Sequence, residues 1–242
     1  MALPANLKAL ALHWLLPQTC CHCREDLAPN WRKPLCPSCL KDLVPAEPPF
    51  CLRCAEPLAS GQALCPACAG RPFACRTIRA AFLYKGPVPA LAHGFKYRGR
   101  QDAARAAGRW MAEHWTRFGE LSGYDALVPV PLHPGRLRER GYNQAEILSR
   151  ELGLATGLPV KHLLERSKAT KPQWDLDREA RRKNLAGAFM GKPQARGLSA
   201  LIIDDICTSG TSLEECGRAL HRAGALRVAA FVFARQTLAA PD

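Results

Sequence analysis

Eight of the twelve cysteines in this chain form four Cys-x-x-Cys pairs, all of them before residue 69. The pairs are Cys20/Cys23, Cys36/Cys39, Cys51/Cys54 and Cys65/Cys68, with twelve residues between the first two pairs and ten between the last two. Each such turn presents two thiolates to one metal ion, and two turns complete a tetrahedral set with no open position, which is the chemistry of structural zinc. The spacing leaves the pairing open. Sequential closure gives two zinc ions, interleaving is the alternative, and a single occupied site is a third outcome. Cys21 and His22 flank the first pair and are candidate substitutes as ligands. Disulfides fit this pattern less well than a metal. Cys75, Cys207 and Cys216 have no partner spacing and read as small buried residues or free thiols.

A chain of 242 residues with 48% apolar content exceeds one typical domain, so a core domain with a small module is expected. Pro45, Pro48, Pro49, Pro66 and Pro72 punctuate the cysteine region, and the texture changes after Arg76. The boundary is therefore placed there, with residues 1–76 as the cysteine-rich module and 77–242 as the larger domain. The apolar run from Ala9 to Leu16 is interrupted by His13 and preceded by Lys8. It is too short to span a bilayer and is followed by a poor cleavage site, so it reads as a short amphipathic helix on a cytoplasmic protein without stable membrane insertion.

Beyond Arg76, strand and helix patterns alternate. Strands are expected at Thr77 to Tyr84, Ala126 to Val130, Val160 to Leu164, Ala200 to Ile203 and Val228 to Val232. Helices are expected at Leu91 to Tyr97, Asp102 to Trp115, Ala145 to Thr156 and Leu213 to Arg222. This order implies an α/β fold with a mostly parallel sheet flanked by helices.

The stretch Ser199 to Ser212, SALIIDDICTSGTS, carries the sharpest chemistry. Ala200, Leu201, Ile202 and Ile203 read as a buried strand, at whose carboxyl end lie Asp204 and Asp205. Thr208, Ser209, Gly210, Thr211 and Ser212 follow, with a helix starting among them. Open α/β sheets bind ligands at that edge. A turn of inward amides backed by a helix N-terminus suits a phosphate, and Gly210 lets the backbone come close. The two carboxylates accept hydrogen bonds only, so they suit ribose hydroxyls or the water shell of Mg²⁺. The plainer alternative is an acidic strand end before a capped helix. No Walker-type Gly-x-x-x-x-Gly-Lys sequence is present.

This segment resembles the phosphoribosyl pyrophosphate motif of type I phosphoribosyltransferases. His93-Gly94-Phe95-Lys96-Tyr97-Arg98-Gly99 resembles a second element of that family, in which Lys96 would contact pyrophosphate. After the proline-broken strand end Val128 to Leu132 come Arg136, Arg138 and Arg140, which can neutralise pyrophosphate through forked hydrogen bonds or else form a solvated basic turn. A long polar stretch from Arg166 through Thr170, Gln173, Arg178 and Arg181 to Asn184 reads as a lid. Thr170-x-x-Gln173, Arg181-x-x-Asn184-x-x-x-Ala188-Phe189, the Arg140-Gly141-Tyr142-Asn143-Gln144 element and the leading cysteine pairs together resemble the competence protein F and GntX family.

That resemblance implies a type I phosphoribosyltransferase fold behind a double zinc ribbon. It also implies Mg²⁺ and phosphoribosyl pyrophosphate as ligands and a link to DNA uptake or utilisation. The catalytic set it implies is Asp204, Asp205, Lys96 and Arg140, with the donor also held by Thr208 to Ser212, Arg136, Arg138, Gln173 and Arg181. The formal charge is +13, of which residues 1–76 hold +3 and residues 77–242 hold +10. A basic cleft serves a polyphosphate or a nucleic acid equally well, so charge does not choose between them. Two functions stay open: transfer of a phosphoribosyl group to a nitrogen nucleophile, or sensing of the donor by an adaptor that binds single-stranded DNA and meets other DNA-uptake proteins.

Overall fold

The structure is a computed structural model that describes residues 18–166 and 185–237. The expected N-terminal helix and the stretch holding Thr170, Gln173, Arg178 and Arg181 lie outside the described residues. The strands are β1 (Ile78–Leu83), β2 (Ala126–Pro129), β3 (Leu164–Arg166), β4 (Phe189–Gly191), β5 (Ser199–Cys207) and β6 (Arg227–Arg235). The helices are α1 (Pro37–Lys41), α2 (Val88–Tyr97), α3 (Gln101–Trp115), α4 (Pro134–Arg140), α5 (Gln144–Thr156) and α6 (Thr211–Arg222). One sheet in the order β1-β6-β5-β2 is parallel throughout, and β3 pairs antiparallel with β4.

Strands β5 and β6 are nearly continuous apolar runs because both sheet faces are covered. Leu201, Ile203, Ala229, Phe231 and Phe233 pack on one face with Phe95 of α2, Met111 of α3 and Leu148 of α5. Ala200, Ile202, Val228, Ala230 and Val232 point the other way, onto Leu213, Cys216 and Leu220 of α6 and onto Phe189. The period of two along each strand thus separates two cores. Helices α3 and α5 meet closely at Gly108, where a Cβ would fall 2.7 Å from that of Glu151.

Three expectations need correction. Strand β5 does not end at Ile203 but pairs with β6 as far as Cys207, so both aspartates belong to the ladder. The arginine segment is not a loop: Pro134 occupies the first turn of α4, where its missing N–H costs nothing, and His133 Nδ1 accepts from Gly135 N to cap the helix. The strand expected from Val160 to Leu164 is reduced to a single parallel bridge between Val160 and Leu127, and β3 begins only at Leu164 with a different partner.

The cysteine region lies along the open edge of β1. Ala46 N donates to Ala81 O at 3.0 Å, Leu83 N to Val44 O at 2.8 Å and Ile78 N to Arg53 O at 2.7 Å. An edge strand covered in this way offers no free ladder for another chain. Cys20, Cys21, Leu27, Leu35, Cys36 and Cys39 belong to the same apolar cluster as Phe95, Ala103 and Phe233, so the first cysteine group is seated in the core of the sheet domain.

Candidate functional site

All four strands of the parallel sheet deliver their carboxyl ends to one edge, where a cavity of about 560 Å³ opens. Its wall includes Lys96, Arg136, Arg140, Asp204, Asp205, Thr208 and Ser212. Ser209, Gly210 and Thr211 complete the turn between Thr208 and Ser212. Gly210 has φ +75°, a left-handed conformation that other residues adopt only with strain, and its carbonyl accepts the first helical bond of α6 from Glu214 N at 3.0 Å. Ser209 Oγ and Thr211 Oγ1 are 2.8 Å apart across the bend. The orphan amides of a twelve-residue helix therefore sit behind a hydroxyl-rich turn.

The two acids are held by the backbone that follows them. Asp205 N donates to Asp204 Oδ1 at 2.8 Å, and Ile206 N to Asp205 Oδ1 at 2.7 Å. Lys96, in the last turn of α2, places Nζ 3.0 Å from the buried Asp205 Oδ2. Burial pulls the Lys96 ammonium down, but attraction to Asp205, its hydrogen bond and Asp204 outweigh that and raise its pKa, with Arg140 opposing. One ammonium faces two carboxylates. Burial, then repulsion from Asp205, push Asp204 up from 3.8 to about 7. Such a pair favours a ligand that brings hydroxyl donors or a hydrated cation, so its donor set fits Mg²⁺.

The Arg140-to-Gln144 element turns out to be mostly scaffold. Gly141 closes α4 with φ +78°, Tyr142 donates its hydroxyl to Phe95 O, and Asn143 caps α5 through Ala145 N while its amide reaches Val130 O at 3.0 Å. Arg140 alone of the five presents charge to the cavity, steadied by Gln144 Oε1 at 2.5 Å and lying over the Tyr97 ring. Arg138, by contrast, is exposed and does not line the cavity. The wall also includes Tyr84, Glu139, Phe189 and Gln236, which sequence reasoning did not assign. Tyr84 and Gln236 follow the last residues of β1 and β6, a position that the strand-end rule would have flagged.

The cysteines sort into two groups, Cys20/Cys23/Cys36/Cys39 and Cys51/Cys54/Cys65/Cys68, each with its sulfurs within 4.8 Å of one another. Closure is therefore sequential, and Cys21 and His22 stand outside both groups. The Cys23 and Cys36 sulfurs, like those of Cys54 and Cys65, are 3.7 Å apart. That is far longer than a disulfide and close to the edge, about 3.7 Å, of a sulfur tetrahedron around zinc at about 2.3 Å. Backbone amides of Cys36 and Cys65 donate to the sulfurs of Cys20 and Cys51 at 3.3 and 3.4 Å, as thiolate ligands require.

A parallel α/β sheet with paired acids, a hydroxyl turn and converging cations at its carboxyl edge, coupled to two four-cysteine groups, defines a phosphoribosyltransferase-type domain carrying a double zinc ribbon. The comparisons agree: the double zinc ribbon domain matches residues 11–69 and the phosphoribosyl transferase domain residues 137–241. The chain is 28% identical over 225 residues to the DNA utilization protein YhgH of Salmonella typhimurium, covering 91% of this chain and 98% of that one. It is likewise 28% identical over 225 residues to competence protein F of Haemophilus influenzae, covering 89% and 96%. The chain is thus similar over nearly its whole length to competence protein F and to the DNA utilization proteins. A solved glutamine phosphoribosylpyrophosphate amidotransferase from B. subtilis aligns over 58% of this chain and 30% of its own, at 15% identity and a TM-score of 0.41, too remote to argue from.

Proposed function

We propose that the larger domain, residues 77–242, binds phosphoribosyl pyrophosphate with Mg²⁺ and transfers the phosphoribosyl group to a nitrogen nucleophile. The observation that carries this reading is the order of groups around one cavity: the Thr208–Ser212 turn, then Asp204 and Asp205, then Lys96, Arg136 and Arg140. The turn holds the 5-phosphate through main-chain amides. The acids accept from the ribose hydroxyls and oppose the positive charge that develops at the anomeric carbon. Lys96, Arg136 and Arg140 stabilise the pyrophosphate as it leaves. Mg²⁺, when bound with the donor, supplies further neutralisation of the pyrophosphate charge. Gln173 and Arg181, outside the described residues, are assigned to donor binding by the family pattern alone.

The printed names of the relatives support placing this chemistry in the uptake or use of DNA. A second reading, a donor-sensing adaptor for single-stranded DNA, has its own support. Tyr97 is 63% exposed beside Arg140 at the cavity mouth, an arrangement on which an unpaired base can stack. Tyr142 is less suited, because its hydroxyl is already engaged. Pyrophosphate release measured against nucleobases and amines separates the two. Donor-dependent release with one acceptor class supports transfer. Silence across the panel, together with salt-sensitive binding of single strands, supports the adaptor.

A further inference from the structure

Strand β6 ends on Arg235, one of the largest fully buried side chains, with 1% of its surface exposed. Its guanidinium donates to Glu56 Oε2 through Nη2 at 2.6 Å and Nε at 3.1 Å. Nη1 donates to Cys207 Sγ at 3.0 Å, to Cys207 O at 3.3 Å and to Thr208 O. Nη2 also lies 4.0 Å from Cys54 Sγ. Residues 207 and 208 lead directly into the turn that contains Gly210. One cation thus joins a ligand of the second four-cysteine group to the backbone entering that turn. The second group also fixes Glu56, because Cys51 N donates to Glu56 O at 2.7 Å.

A second tie reaches the far side of the same turn. Glu214, in the first turn of α6, accepts from Ala74 N at 2.7 Å and Cys75 N at 3.3 Å, and Cys75 Sγ donates to Leu213 O at 3.3 Å. The segment just past Cys68 therefore holds residues 213 and 214, while Arg235 holds 207 and 208. The first four-cysteine group makes no comparable contact among the described residues; it packs against α2 and α3, with Cys21 Sγ beside Gly94.

We propose that the second four-cysteine centre is a working part of the phosphate turn, with Arg235 as the positioning residue between them. Metal held by Cys51, Cys54, Cys65 and Cys68 fixes Glu56, Glu56 fixes Arg235, and Arg235 fixes the carbonyls of Cys207 and Thr208. A buried guanidinium whose carboxylate moves away must find another partner, so loss of that metal is transmitted to the turn. The first centre serves the fold only.

The inference rests on the proposed function for its ligand readout and not for its structural one. Hydrogen exchange of amides 208–212 is measured on the zinc-loaded full chain, on Cys54→Ser, on Cys36→Ser and on wild type partially stripped by a chelator. The expected result is exchange faster by on the order of tenfold when the second centre is empty, with little change when only the first is. Arg235→Lys keeps the charge beside Glu56 but loses the fork. It should retain both zinc ions, assayed with a chromophoric chelator, yet show the fast exchange and weaker phosphoribosyl pyrophosphate binding that no longer depends on zinc. Unchanged protection of 208–212 after the second metal leaves, or equal loosening from either centre, overturns the proposal. The chelator series decides the matter even where a cysteine variant fails to fold. Wild type that shows the coupled exchange but binds no donor would sink the proposed function and leave this inference standing.

Discussion

Lys96 Nζ and Asp205 Oδ2 stand 3.0 Å apart at the base of the cavity, with side-chain exposures of 24% and 5%. The contact ties the end of α2 to the end of β5 and neutralises one of two adjacent carboxylates. Replacing Lys96 with Met leaves the buried Asp205 without its ion-pair partner, and removing one partner of such a pair costs about 3 kcal/mol or more. Urea unfolding of Lys96→Met checks this. The double variant Lys96→Met with Asp205→Asn should recover part of the loss, whereas strict additivity would deny the pair any coupling.

Asp204 gives a pH dependence with a definite sign. Its folded pKa is raised from 3.8 to about 7, by burial first and by Asp205 second. Between those values the folded chain holds a proton that the unfolded chain has released, so the contribution of Asp204 to stability falls as pH rises from about 4 to about 7 and then levels off. In thermal melts, wild type should lose ground relative to Asp204→Asn across that window. A difference independent of pH would contradict the assignment.

The arginines of α4 should separate by position. Arg136 and Arg140 line the cavity and Arg138 does not, so Arg136→Ala and Arg140→Ala should each weaken donor binding by roughly tenfold to a hundredfold, the usual loss for a charge-assisted hydrogen bond. Arg138→Ala should leave affinity within about twofold. Three equal losses would point to diffuse charge attraction instead of a built site.

Metal analysis should find two zinc ions per chain, one for each four-cysteine group. Cys51→Ser should reduce the count to one, and Cys21→Ser should leave it at two because Cys21 lies outside both groups. A count of one in wild type, or loss on changing Cys21, would require a different ligand set.

Much of the fold is legible in local sequence because the signals are local. The apolar runs around Ile202 and Phe231 can only be buried strands, and Cys-x-x-Cys turns carry their own geometry. Pro129 and Pro131 mislead because they end the strand as expected, but the chain then enters α4 at Pro134 and not an irregular turn, through a His133 cap that sequence spacing does not announce. Asp204 and Asp205 are readable as a ligand pair, yet their place inside the ladder depends on pairing with Val232 to Arg235 some thirty residues away. Least legible is the tie from Glu56 to Arg235, between residues 179 apart. No periodicity or spacing encodes such a contact. Gln144 and Asn143 show the converse case: their pattern is visible, but only the structure separates Gln144, which steadies Arg140 at the cavity wall, from Asn143, which caps α5 and ties it to Val130.

The central claim is that the turn at Gly210 grips the phosphate of an activated ribose. Calorimetric titration of Mg²⁺ and phosphoribosyl pyrophosphate into the zinc-loaded full chain tests it most directly. The account predicts saturable one-to-one binding that Gly210→Val abolishes, since valine at φ +75° distorts the turn, and that Asp205→Asn weakens. Absence of binding by folded wild type, or binding unchanged in Gly210→Val, would contradict it.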